Sequence, residues 1–230
     1  MRRFYERASV SPGEGGHGVL LDGRPLQTPA KRPLIAPTSG LAEAIAEEWQ
    51  AQSDTIRPAM MPLTRLASTA LDRMPALRGP VIDEVAGFAG TDLLCYRAEE
   101  PFELVQRQRH AWQPLLDWAA QTHGARLLAT TSILPVEQPA DALGRLRTLV
   151  ESRDDWPLVG LHAATTTLGS LVLGLALAER RLDPEQALTA TLLDELFEIE
   201  RWGIDDETER RHGALRRDVH AAAAFLDRLA

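Results

Sequence analysis

The stretch that decides the fold is Trp156 to Arg180, WPLVGLHAATTTLGSLVLGLALAER, in which Pro157 to Ala178 carries no charge. An apolar run of that length is a membrane-span candidate on length alone. Its own residues argue the other way. His162, Thr165, Thr166, Thr167 and Ser170 interrupt it with polar groups, and neither a second span nor a basic flanking loop accompanies it. Leu158, Leu161, Leu168, Val172 and Leu175 recur at three-four spacing, the period of a helix packed along one stripe. Gly160, Ala163, Thr167, Ser170 and Gly174 form a second stripe of small residues, along which a neighbouring backbone can approach closely. The sequence thus predicts one central helix of a helical bundle, with the remainder of the chain packed round it.

Downstream, Asp183-Pro184 pairs an N-cap residue with proline at the first helical position, and the helix it opens should run to Trp202-Gly203. Glycine there suits a left-handed C-terminal position. Asp206 and Glu209 form a D-x-x-E pattern that should cap a last helix. Upstream, helices are expected over 139–152 and over 102–123, the latter closed by Gly124. Residues 125–135, ARLLATTSILP, read as the one extended segment of this half, while TDLLCYRAEEP (91–101) fits a helix end or a short extended piece. Two further helices should begin at Pro62 and Pro80.

The first third reads differently. Phe4, Tyr5 and Val10 suggest an opening strand, and Gly13 to Gly18 a flexible turn. Val19 to Leu21, then Asp22-Gly23, then Arg24 to Leu26 is a hairpin signal, because Asp-Gly supplies the positive φ angles of a two-residue turn. Thr38 or Ser39 can then cap a helix through Ala51, with Leu41, Ile45 and Trp49 on its buried side. Trp49 is expected in the core where the domains join. The composition shifts between residues 55 and 80. The expected architecture is a small α+β domain over 1–75, an antiparallel sheet with a helix, followed by a larger all-α helical bundle over 76–230.

Composition narrows the function. The chain has 230 residues, 44% apolar and 25% charged, which is globular rather than disordered. A net charge of −8 disfavours nucleic acid, whose recognition draws on a concentrated basic face. Cys95 is the single cysteine, so no internal disulfide forms, which fits a reducing compartment. MRRFYERASV lacks the apolar core of a secretory signal.

Motifs that resemble chemistry fail on context. Gly13, Gly15 and Gly18 match G-x-G-x-x-G, but a dinucleotide fingerprint must follow a strand and open a helix, and here a hairpin follows. Glu209 and His212 are spaced as in a carboxylate-bridged metal bundle, yet the second copy such a site needs is missing. His162 reads as a space-filling histidine bonded to a carbonyl, and Cys95 as a small buried hydrophobe. No catalytic, cofactor or metal set is predicted. A different signal lies near the end of the chain, where Asp194, Glu195, Glu198, Glu200, Asp205, Asp206, Glu207 and Glu209 surround Trp202 and Ile204. Such a stretch is either a solvated helix face or a docking surface for a partner with a basic rim.

Short matches in the right order run through nearly the whole chain: Arg3-Phe4-Tyr5, Leu21-Asp22-Gly23-Arg24, Thr28-Pro29, Glu48-Trp49 with Gln52, Met61-Pro62, Thr69-Ala70 and Asp72. They continue with Thr91-Asp92, Cys95-Tyr96-Arg97, Pro101, Trp112, Trp118, Glu195 and Trp202-Gly203. On these residues the chain resembles the assembly chaperones for the α subunit of F-type ATP synthase, the F1 complex assembly factor 2 family. The resemblance implies the same two-domain fold and a non-enzymatic role, binding free α subunit until it pairs with β. It also implies a bacterial cytoplasmic location (the mitochondrial matrix for eukaryotic relatives); no membrane insertion is expected from the polar residues of the apolar run, and of the oligomeric states, which the sequence does not give, a monomer is favoured. The resemblance implicates acidic positions around Trp202-Gly203, of which Glu195 matches one; partner contacts are expected at Glu195, Glu198, Trp202, Asp205 and Asp206, with Asp22, Gly23, Trp49, Trp112 and Gly203 as structural positions. Three positions depart from the family pattern: Gln27 where it has lysine, Asp206 where it has glutamate, and Glu209-Arg210 where it has His-Asp. A small-molecule enzyme using a cleft between the domains is the competing reading.

Overall fold

Asp22 and Gly23 both take positive φ angles, 47° and 77°, as a tight two-residue hairpin turn requires. The turn joins β2 (Gly16–Leu21) to β3 (Arg24–Pro25), with Leu21 opposite Arg24. The computed structural model describes residues 1–132 and 134–229. Strand β2 is the centre of a four-stranded antiparallel sheet, pairing also with β1 (Ala8–Gly13) and β4 (Ile35–Ala36). The sheet belongs to a compact unit made of Met1–Arg78, Asp155–Gly160 and Ala224–Ala230.

Two expectations here need correction. The opening strand begins at Ala8, not Phe4, because Tyr5 is committed elsewhere: its ring lies 5.6 Å from that of Trp49 and its hydroxyl donates to the Trp49 carbonyl at 2.7 Å. The predicted 13–18 turn is also shorter, since strands occupy Gly13 and Gly16 onward. At Gly16 (φ 145°) a Cβ would collide with the Ala36 carbonyl, so only glycine lets β4 cross there.

Helix α1 (Ser39–Gln50) starts as expected, with the Thr38 hydroxyl accepting from the Leu41 N–H at 3.3 Å and Leu41 and Ile45 fully buried. Its Glu48 carboxylate caps the next helix, α2 (Pro62–Asp72), taking the N–H groups of Leu63 and Thr64 at 2.7 and 2.8 Å. Pro62 sits in the first turn, where its missing N–H costs nothing. Helix α3 (Met74–Gly87) begins earlier than predicted and carries Pro80 inside it. In the same unit Trp156 stacks on Phe225, centroids 6.0 Å apart.

The second unit comprises Gly79–Asp154 and Leu161–Ala223. The ambiguous 91–101 segment resolves into 3-10 turns at Phe88–Thr91 and Leu93–Cys95, hinged on Asp92. Helix α4 (Phe102–His123) is closed by Gly124 at φ 66°, as predicted. Its Trp112 is 1% exposed and donates its indole N–H to the Ala190 carbonyl at 2.8 Å. Residues 125–135 form no strand among the described residues; Thr130 makes only an isolated bridge with Tyr96. The reason is local: the Gln138 amide takes both the N–H and the carbonyl of Leu128, at 2.8 and 2.9 Å, where a partner strand would have bonded. Ile133 of that stretch lies outside the described residues. Helix α5 (Ala140–Glu151) follows.

The charge-free run is not one helix. It breaks at Gly169 (φ 65°) into α6 (Asp155–Leu168) and α7 (Leu171–Ala178). Ser170 caps α7 by accepting from the Leu173 N–H at 3.0 Å, and its own hydroxyl donates to the buried Asp92 carboxylate at 2.7 Å. Its packing follows the pattern nonetheless, with Leu158, Leu161, Leu168, Val172 and Leu175 all at 0% exposure. Among the described residues no helix is long and apolar enough to cross a membrane.

The helix opened by Asp183-Pro184 has the full capping box, with Gln186 as the reciprocal partner, but it divides into α8 (Pro184–Thr191) and α9 (Leu193–Trp202). Helix α10 (Asp206–Asp227) ends the chain. Its cap is Asp205, one residue earlier than predicted, which accepts from the N–H groups of Glu207 and Thr208 at 2.9 and 2.8 Å.

Candidate partner-binding face

The C-terminal end of α9, the turn at Gly203 and the first turns of α10 enclose a surface hollow of about 310 Å³. Gly203 makes the turn with φ 82° and ψ 176°, a region that only glycine enters at little cost. This is not the left-handed helical angle expected of it. The chain thereby reverses within a few residues and brings Glu195, Glu198, Trp202 and Asp205 to one rim. Asp206 begins α10 outside that wall.

The acidic residues divide sharply by what already holds them. Glu195 is committed: both Arg211 and His212 of α10 bond its carboxylate, His212 Nε2 at 2.8 Å. The Arg211 guanidinium is the first cause of a carboxyl held below its usual range, with His212 adding to it against the cost of partial burial. Asp205 is likewise low, chiefly because Thr208 and then Glu207 donate to it. Glu200 binds Arg107 at 2.8 Å, and Asp194 accepts from Gln108 at 2.8 Å. Glu198 and Asp206 remain exposed, and their carboxylates bond nothing among the described residues. Trp202, which shares the hollow with Glu198, is 85% exposed, and Ile204 47%.

An indole left in water beside unpaired carboxylates cannot be explained by core packing, and large exposed apolar groups rimmed by charge mark interaction surfaces. The lining of the hollow offers carboxylate acceptors, an apolar ring and the Thr208 hydroxyl, which already donates to Asp205 at 3.0 Å.

The other predicted positions fall elsewhere. Asp22 is an outward cap: its carboxylate takes the N–H groups of Glu6 and Arg7, which lower its pKa, Arg7 first. Trp49 is half-buried in the N-terminal unit rather than core, and its indole N–H is covered but unpartnered. Cys95 is fully buried, with its thiol pushed up to about 12 by burial and by Asp92 beside it. His162 is not carbonyl-bonded filler: Nε2 faces the Glu84 carboxylate at 3.1 Å. Sequence reasoning missed that pair because Glu84 lies on α3, far along the chain. His212 pairs with Glu195, and among the described residues no group of His, Cys, Asp and Glu is placed to hold a metal.

The sheet-bearing unit and the helical unit have the fold of a chaperone. The chain belongs to the ATP12 chaperone protein family, which it matches over residues 2–120. It is similar to Atp12 from Paracoccus denitrificans, whose crystal structure superposes with a TM-score of 0.94 at 42% identity, covering 100% of this chain and 98% of that one. It is also similar to the mitochondrial protein atp12 of Schizosaccharomyces pombe, 26% identical over 240 residues, 99% of this chain and 82% of the relative. The mitochondrial ATP12 of Saccharomyces cerevisiae is 22% identical over 268 residues, 96% of this chain and 82% of its own length. The face around Trp202 lies beyond the family match but within the span these relatives share.

Proposed function

We propose that this chaperone acts in assembly of the F1 part of ATP synthase, in the bacterial cytoplasm and as a monomer, by holding free α subunit until α pairs with β. It does so without chemical turnover. Family membership supports the chaperone role, and the observation that carries the docking site is the exposed Trp202 on one hollow with the unpaired Glu198, followed four residues on by the unpaired Asp206. An unassembled subunit exposes the surface it will later bury against its neighbour, and such surfaces aggregate. A holder must cover that surface and then lose to the rightful partner. A single aromatic anchor with a screened acidic rim suits this, because rim charges speed encounter more than they tighten the complex.

Glu195 and Asp205 share the rim, but each is already bonded within the protein. Recognition then falls to Trp202, Glu198 and Asp206. The test is capture of α subunit by the variant Glu198→Lys with Asp206→Lys, and separately by Trp202→Ala. Both should reduce capture at least about tenfold, in the range of an interface hot spot, with unfolding temperature unchanged. Undiminished capture by either folded variant would remove this face from the account.

A further inference from the structure

The N-terminal unit carries a second surface of different chemistry. Two hollows, of about 610 and 640 Å³, share Met1, Gln27 and Trp49 as a common wall. Each lies in the size range of sites that bind organic ligands or peptide side chains. The first is floored by Pro29, Ile56, Pro58 and Met61; the second runs along Leu21, Pro25 and Leu26 past Phe4. Met1 and Phe4 stand 74% and 65% exposed at its rim. Methionine and phenylalanine held open in this way form an adaptable apolar lip.

The hollows carry both signs of charge, but their carboxylates already bond the protein's own groups: Asp22 takes the N–H groups of Glu6 and Arg7 and lies near Arg24, and Asp72 takes the Thr28 hydroxyl at 2.7 Å and the Ala30 N–H at 3.0 Å. Arg24 in the second hollow and Arg73 in the first are exposed, and their guanidiniums hydrogen-bond nothing among the described residues. The wall between them holds the unpartnered Trp49 indole N–H. A covered donor without an acceptor is unfavourable, and a carbonyl brought by an occupant would satisfy it.

We propose that this double hollow docks an extended polypeptide segment in which bulky apolar side chains alternate with acidic ones. The apolar side chains fill the hollows on either side of Trp49, the acidic ones reach Arg24 and Arg73, and a main-chain carbonyl of the segment accepts from the indole. An extended backbone sends successive side chains to opposite faces; the acidic ones therefore stay on the solvent side, where the long, exposed Arg24 and Arg73 side chains can extend to meet them. The inference rests on the chaperone reading, since an unassembled client is what would supply such a segment, but it concerns a surface chemically opposite to the acidic face around Trp202.

The probe is a short fluorescein-labelled peptide alternating leucine with aspartate, titrated with the full chain and followed by anisotropy. The aspartate peptide should bind at least about tenfold tighter than its lysine counterpart, equivalent to about 1.4 kcal/mol. Arg24→Glu with Arg73→Glu, both at exposed positions, should abolish that preference while leaving thermal unfolding unchanged. Trp49→Phe, which keeps a ring and removes the N–H, should weaken the aspartate peptide several-fold. Equal affinity for the two peptides, no affinity for either, an unaltered preference in the arginine variant, or equal competition by N-acetyl-aspartate would each overturn the proposal. Capture of α subunit by Glu198→Lys with Asp206→Lys is scored separately: failure here leaves the acidic face standing, and failure there removes that face but not the chaperone role on which this inference rests.

Discussion

His212 of α10 reaches back to Glu195 of α9, Nε2 to carboxylate at 2.8 Å, on the same oxygen that Arg211 engages. That one carboxylate fastens the two helices whose junction forms the proposed docking face. Its lowered pKa has a consequence for acid stability. A group whose folded pKa lies below its unfolded value contributes stability above the unfolded pKa and loses it as pH falls through the folded one. Thermal unfolding of Glu195→Gln should therefore lie below wild type at pH 7, with the gap closing as the pH drops below about 4. Because the pair is partly exposed, the gap should not exceed about 1 kcal/mol. A gap that widens on acidification would contradict the pairing.

Asp92 holds the second unit together at the break in the apolar run. Fully buried, it accepts from the Ser170 hydroxyl at 2.7 Å and from the N–H groups of Leu94 and Val172, both at 3.1 Å. Burial pushes its pKa up while those bonds pull it down. Asp92→Ala strands several buried donors at once and should cost about 3 kcal/mol or more, read as a lower urea midpoint. Asp92→Asn, which keeps an acceptor oxygen, should cost less.

Gly174 lies against Thr165, where an added Cβ would strike the hydroxyl and come within 3.2 Å of the backbone. Gly174→Ala should therefore destabilise by about 1–3 kcal/mol through overpacking, although alanine favours a helix. An equally stable variant would mean that α6 and α7 do not pack at this point.

Glu48 caps α2 from α1, and its removal should act locally. Glu48→Ala leaves the Leu63 and Thr64 N–H groups without their acceptor and should cost about 1–2 kcal/mol. Peptide-amide exchange should rise in α2 first.

What the sequence could disclose follows from where its punctuation stands. Asp22-Gly23, Asp183-Pro184 and the span from Pro101 to Gly124 each carry their own boundary residues, and each forms as read. The break at Gly169-Ser170 had the same punctuation, yet the unbroken hydropathy around it outweighed the glycine; only Asp92, far away in sequence, makes Ser170 a strong cap. Residues 125–135 have strand composition but lose their backbone partners to Gln138. The acidic stretch was visible as composition. Which carboxylates were free was not, because Glu195 and Glu200 are neutralised by Arg211, His212 and Arg107, residues that no spacing rule connects to them. Trp49 looked like core since large aromatics usually are; here the sheet and α1 leave it half-covered above two hollows.

The central claim, that this chain holds free α subunit of the F1 assembly, is tested most directly by affinity purification of the tagged chain from its native extract, with identification of the bound protein. The account predicts α subunit without β, lost in the Glu198→Lys, Asp206→Lys variant. Recovery of the chain with no F1 subunit, or within the finished synthase, would contradict it.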